Sequence, residues 1–438
     1  MSGQVGVHIV HVGNMANKGT QVLLKSDVTI IREIFHDNVK ISVSTADVEG
    51  VKSLNLPVDA IFPTLVDIPY EVADSYAKRS GLERGSFRYK VVALLSLFNM
   101  FVQMYLSFLS SVLARVGLRG FYRQGIVACM SSCDVVVSCS DENFKESSSL
   151  LPFNVYWLLT WWSMLASKTW KILVAKWLGK KVVMLPNSVG PFRTVVGRTL
   201  SRMALNNCES ILIRDQPSYE IVNDLGVRSR KILTADTALL FKGSDSKVRI
   251  EDRVLGVSAG LYGYSLPENK IREYVLAHAE ALDRAIESLG VSVIFLPHYV
   301  SGFKYDDLEI TKMIRGKMRH SDRASILNAR SVEDFKSLID NVDILVSSKM
   351  HPCVLAASSY VPSLCVAYDH KQTGFFSSLG MSQDVISLHG VTSEKLYEKI
   401  VDLWDRKDER KEYLKTRVPL LQAQVRKSIT EALLTALD

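Results

Sequence analysis

Lys349 and His351 stand two residues apart in Ser347-Ser348-Lys349-Met350-His351-Pro352, after the apolar run Val342-Asp343-Ile344-Leu345-Val346 and before the helix-compatible Cys353–Ser358. A short β-branched run, a small polar turn and a helix make half of a βαβ unit, and open parallel sheets bind ligands beyond the carboxyl ends of their strands. The spacing therefore puts a fixed cation and an imidazole that titrates near neutrality where an anionic ligand is held and a proton moved. A lone histidine is more often a surface or satisfied core residue. The lysine at i−2 and the strand-end position are what favour chemistry here.

Other strand-end loops carry polar groups. Gly13-Asn14-Met15-Ala16-Asn17-Lys18-Gly19-Thr20 follows the run Val5–Val12 and leads into a helical stretch from Gln21 to Phe35. Asn14, Asn17 and Gly19 suit close backbone approach and an anion at a helix N-terminus, although the loop is neither GxGxxG nor a P-loop. The run Val182–Leu185 is followed by Pro186-Asn187-Ser188-Val189-Gly190-Pro191, and Ser210–Ile213 by Arg214-Asp215. For Arg214 a structural ion pair with Asp215 and a ligand contact are both open. His298 ends the run Val291–Leu296, and Lys371 follows Leu364–Ala367 in Tyr368-Asp369-His370-Lys371.

These loops need a scaffold of alternating strands and helices. In the first half the runs at 39–43 and 135–139 join those above. In the second, Leu255–Ser258 precedes a helix with Val275, Ala279, Leu282, Ile286 and Leu289 on one stripe, stopped by Gly290. A polar break at Lys242-Gly243-Ser244-Asp245-Ser246-Lys247 separates two arrays. A chain of 438 residues is also too long for one compact core. The pattern predicts an α/β protein of two doubly wound Rossmann-like domains facing each other across a cleft, spanning 1–245 and 250–415, then a C-terminal helix over 416–438.

Composition bounds the partners. The chain is 47% hydrophobic and 23% charged, and 53 Lys and Arg against 46 Asp and Glu give +7. That excess accommodates an anionic substrate or an acidic membrane surface, but without a basic block it argues against nucleic acid. The six cysteines form no CxxC pair and lie in or beside apolar runs, as free thiols in a reducing compartment do. With no signal-peptide pattern over Met1–Val12, a cytoplasmic location is expected. An apolar helical insertion is expected around 88–125, where Val91–Ala114 carries no charge. Nearby, Tyr156, Trp157, Trp161, Trp162, Trp170 and Trp177 are interleaved with Lys168, Lys171 and Lys176. Core helices, peripheral docking at the inner face of the plasma membrane and a true span are the three readings.

Seven segments occur in an order that resembles the polysaccharide pyruvyl transferase family. They are Gly13-Asn14 with Asn17 and Gly19; Ser138-Cys139-Ser140-Asp141; Asn187-Ser188-Val189-Gly190-Pro191; Arg214-Asp215-Gln216-Pro217-Ser218; Ala235-Asp236-Thr237-Ala238; Lys349-Met350-His351; and Tyr368-Asp369-His370-Lys371. Two segments depart from the family pattern: Cys139-Ser140 replaces a usual glycine pair, and Lys349 a usual arginine, exchanging a guanidinium fork for a point charge.

The resemblance implies a glycosyltransferase-B-like fold, the acceptor on the N-terminal domain and the donor on the C-terminal one. It implies transfer of pyruvate from phosphoenolpyruvate to a glycan or lipid-linked sugar as a ketal, with neither metal nor cofactor. His351 would move the proton, with Lys349, Arg214 and Lys371 on the donor's anionic groups. Asn14, Asn17, Gly19, Asp141, Ser188, Gly190 and His298 would make further substrate contacts. Two alternatives remain: a nucleotide-sugar-dependent glycosyltransferase, and a non-catalytic membrane-associated relative.

Overall fold

The structure is a computed structural model that describes residues 4–36, 38–83, 86–118, 122–146, 158–243, 253–261, 266–302 and 304–438. Tyr156 and Trp157 of the aromatic cluster and Ser244–Lys247 of the polar break lie outside the described residues. The chain divides into two compact units: residues 1–15, 27–234 and 426–438 form the first, and 16–26 with 235–425 the second. The division falls at Thr234/Ala235, before the polar break. The last helix starts at Lys407, ahead of residue 416, and runs to Leu437.

In the first unit the described strands form one parallel sheet. They are β1 (Val5–Val12), β2 (Val39–Thr45), β3 (Ala60–Pro63), β4 (Val135–Ser138), β5 (Asp141–Phe144), β6 (Lys181–Val189), β7 (Ser210–Ile213) and β8 (Arg230–Leu233), in the order β3-β2-β1-β4-β6-β7-β8, with β5 on β6. Helices on both faces leave β1, β4 and β7 almost wholly buried, so these strands are near-continuous apolar runs rather than alternating ones. The order reverses between β1 and β4, and their carboxyl ends flank a switch point.

The second unit holds β9 (Val254–Ser258), β10 (Ser292–Phe295), β11 (Ala324–Ile326), β12 (Ile344–Ser347), β13 (Ser363–Ala367) and β14 (Val385–Ser387), all parallel, in the order β11-β10-β9-β12-β13-β14. The helix Glu268–Leu289 buries Ile271, Val275, Ala279, Leu282 and Ile286, and ends at Gly290 in the left-handed conformation. Here the switch point lies between β9 and β12. Lys349 follows β12 after Ser348 alone.

Candidate functional site

The second unit assembles a basic and imidazole cluster at its switch point. Ser347 Oγ accepts from the Lys349 amide and donates to the Lys349 carbonyl, both at 2.9 Å. This turn ends β12 and makes Lys349 the N-cap of the helix Met350–Ser358. The Lys349 ammonium pairs with buried Asp307 Oδ1 at 3.3 Å, while Asp307 Oδ2 accepts from the Tyr299 amide at 2.8 Å. Burial pushes the Asp307 carboxyl above its usual range, and the Lys349 charge opposes that shift. Gly260, just past β9, leaves room for the pair: a Cβ there would overlap both side chains.

The two histidines sit together. The rings of His298 and His351 lie nearly parallel, with centroids 6.2 Å apart and planes at 17°. His298 is buried, and its Nε2 has no hydrogen-bond partner among the described residues. Burial lowers its pKa well below the usual value, and the charges of His351, Lys349 and Lys18 lower it further, so it is neutral at pH 7. The loop residues Asn17 and Gly19 belong to this unit too. Asn17 Oδ1 accepts from the Gly19 amide at 2.9 Å, and Asn17 bridges to Tyr299. A side chain at Gly19 would run into the His351 ring, so the glycine admits close packing on the imidazole. Lys18 donates to the Pro297 carbonyl at 3.4 Å. Lys371 lies in the first turn of the helix His370–Leu379. Its neighbour Gln372 donates to the Ser348 carbonyl at 2.9 Å, tying this turn to the loop that carries Lys349.

The remaining sequence candidates fall in the first unit. Arg214 is buried and its Nε donates to Ser188 Oγ at 2.8 Å; that hydroxyl donates in turn to Asp215 Oδ2 at 2.6 Å. Ser188 thus bridges Arg214 to Asp215. Asp215 also caps the helix Gln216–Asp224 through the Ser218 amide. Gly190 has φ +75°, and a Cβ there would meet Ile221 Cγ2 at 2.9 Å, so backbone conformation and packing both require glycine. Ser140, in the place of a family glycine, is held by buried Asp27, which accepts from its amide and its hydroxyl, both at 2.7 Å. Asn14 lies just past β1.

Asp141 lines a pocket at the carboxyl edge of the first sheet, beside His11, Gly13, Glu71, Asn143, Lys168 and Lys171. Sequence reasoning missed most of this group; of the three readings left open for the stretch that carries Lys168 and Lys171, the structure supports a packed helix there. Lys171 is buried, and Lys168 Nζ donates to Asn143 Oδ1 at 2.9 Å. Desolvation lowers Lys171 to about 8 and lowers Lys168, whereas Glu71 is pushed up. His11 is held neutral, chiefly by burial and then by the two lysines. Asp307 was missed as well; Asp306-Asp307 before Leu308 reads only as a helix cap, and Asp306 does fill that role. All six cysteines are free thiols, and all but Cys129 are buried.

Solved structures share this architecture. A putative UDP-N-acetylglucosamine 2-epimerase from Listeria monocytogenes aligns with a TM-score of 0.59 at 12% identity over 98% of this chain and 96% of that one. UDP-GlcNAc 2-epimerase from Neisseria meningitidis, bound to UDP-GlcNAc, gives 0.56 at 11% over 99% and 100%. HepE from Anabaena, in complex with UDP-glucose, gives 0.54 at 11% over 97% and 99%. Identity this low establishes a common fold alone: two Rossmann-like units of the glycosyltransferase-B-like class. Residues 17–370 match the polysaccharide pyruvyl transferase family, and the chain belongs to it. The amylovoran biosynthesis protein AmsJ of Erwinia amylovora is 18% identical over 256 residues. That match covers 52% of this chain and 59% of AmsJ, so the chain spans about three fifths of its relative's length.

Proposed function

We propose that the protein transfers pyruvate from phosphoenolpyruvate to a saccharide of a polysaccharide or glycolipid precursor, forming a cyclic ketal on two hydroxyls. The observation that carries this reading is the Lys349–His351 pair at the β9/β12 switch point, where Gly19 packs on the imidazole and Asp307 holds the ammonium. The donor carries a phosphate and a carboxylate. Lys349 supplies a cation, and the first amides of the helix Met350–Ser358 supply the positive end of a dipole.

The reaction balances with one proton carrier. An acceptor hydroxyl adds to the donor's C2 as the methylene carbon takes a proton from His351 and becomes a methyl. His351 then receives the hydroxyl's proton and is restored. A second hydroxyl adds to the same carbon, and the C–O bond to phosphate breaks with its electron pair, so phosphate leaves carrying the second proton. Neutral His298 beside His351 serves as a hydrogen-bond acceptor for donor or hydroxyl. The free thiols support placing this chemistry in a reducing, cytoplasmic compartment.

Calorimetric titration tests the donor. Phosphoenolpyruvate should bind, and UDP-sugars should not. Binding of UDP-sugars alone would favour a nucleotide-sugar glycosyltransferase instead, and binding of neither a non-catalytic relative.

A further inference from the structure

The helix Phe87–Arg115 in the first unit exposes a broad apolar face while burying polar side chains along its second half. Its inward face buries Tyr89, Ala93, Leu97 and Met100 and then turns polar: Gln103 donates to Asp67 Oδ2 at 2.7 Å and accepts from the Asp67 amide at 2.8 Å. On the same face Ser107 Oγ accepts from Trp170 Nε1 at 2.9 Å, and Ser110 Oγ from the Tyr122 amide at 3.0 Å. The outward face carries Leu94, Leu95, Phe98, Phe101, Val102 and Tyr105, with Phe98 72% and Leu95 65% exposed. A core helix of a water-soluble protein shows the reverse arrangement, and a contiguous apolar patch of this kind marks an interaction surface.

The charges around this face select the partner. Between Phe87 and Arg115 there is no acidic residue; Arg88 and Lys90 stand at one end and Arg115 at the other. Exposed Lys176 and Trp177 extend the cationic end. Arg115 lies 5.3 Å from the Trp177 ring centroid and donates to the Trp177 carbonyl at 3.2 Å, and Phe108 packs on the same ring at 5.4 Å. A second copy on this face would set cation against cation, whether the helices ran parallel or antiparallel. Apolar residues rimmed by arginine, lysine and tryptophan complement a bilayer that presents acyl chains beneath anionic headgroups. The polar second half of the inner face, bonded to its own unit, argues against a helix surrounded by lipid.

We infer that the outward face of Phe87–Arg115 docks the protein in the plane of an anionic lipid bilayer, inserting Leu95, Phe98 and Phe101 without crossing it. This goes beyond the transfer reaction and stands or falls separately from it.

The test is flotation of the whole 438-residue chain with vesicles of phosphatidylcholine alone or mixed with phosphatidylglycerol. The wild type should float with the mixed vesicles at low salt and lose part, not all, of that association at high salt, because attraction to headgroups is screened and apolar insertion is not. Phe98→Asp with Phe101→Asp should abolish flotation, and Arg88→Glu with Lys90→Glu should reduce it at least tenfold. Leu95→Trp should be quenched by brominated lipid, a readout that does not depend on how well the aspartate variant folds. No flotation at low salt would overturn the proposal. So would a lipid-free dimer that the Phe98 and Phe101 changes disperse, or association that survives alkaline carbonate, which marks a spanning helix.

Discussion

Lys349→Ala should cost both stability and donor affinity, and the two losses can be separated. The ammonium lies 3.3 Å from a carboxylate whose side chain is 1% exposed, so removing it strands a buried charge. Breaking such a pair from one side typically costs about 3–5 kcal/mol. The Tyr299 amide still bonds Asp307 Oδ2 at 2.8 Å, and the carboxyl's raised pKa lets it take up a proton, so the lower end, about 3 kcal/mol, is expected. Adding Asp307→Asn removes the stranded charge and should bring stability back to within about 1 kcal/mol of wild type. Phosphoenolpyruvate affinity should not return, because the lost charge-assisted hydrogen bond to the donor is worth about 1.5–3 kcal/mol, roughly 10- to 150-fold in Kd. Chemical denaturation and calorimetric titration on the single and double variants read the two quantities independently. If affinity is unchanged in Lys349→Ala, or recovers with stability in the double variant, Lys349 serves only as the counter-ion of Asp307.

Gly19→Ala should displace the His351 ring and lower kcat at least tenfold with the melting temperature held within a few degrees; normal kcat would show that the ring need not stay where Gly19 holds it. Arg214→Ala should lower stability by about 1–3 kcal/mol by removing the buried donor to Ser188 Oγ, as denaturation would show, and an undisturbed midpoint would contradict a structural role. Buried His278 is lowered from 6.5 to about 4, so the unfolded chain binds its proton first as the pH falls. Its contribution is fully present above pH 6.5 and is lost on acidification toward 4, on the order of 3 kcal/mol across that window. His278→Gln should flatten the stability profile there, and an identical profile in both proteins would refute the shift.

The central strands were legible because burial on both faces writes them as apolar runs. Ser210–Ile213 coincides with β7, and Val135–Cys139 overruns β4 by one residue. The short edge strands β3, β8, β11 and β14 were not legible, since three or four half-exposed residues carry no such signal. β6 runs four residues past Leu185 through Pro186 and Asn187, residues that read as a loop. Asn187 is accommodated inside because its amide donates to the Cys139 and Leu185 carbonyls. The apolar run before them placed Lys349 and His351 at a strand end, where they lie, but Asp307 becomes the neighbour of Lys349 only through tertiary folding. The role of Lys168 and Lys171 was undecided for a similar reason: on a tryptophan-rich helix a lysine is compatible with snorkelling to a surface as well as with packing, and nothing local reveals the pocket with Glu71 and Asp141.

The reaction itself gives the most direct test. Wild type and His351→Ala would be incubated with phosphoenolpyruvate and a panel of free and lipid-linked glycans, following phosphate release and product mass together. Wild type should release one phosphate for each glycan that gains a pyruvate less one water, and His351→Ala should do so about 100-fold more slowly. Ketal formation at an undiminished rate in His351→Ala, or phosphoenolpyruvate left intact while a nucleotide sugar is consumed, would contradict the account.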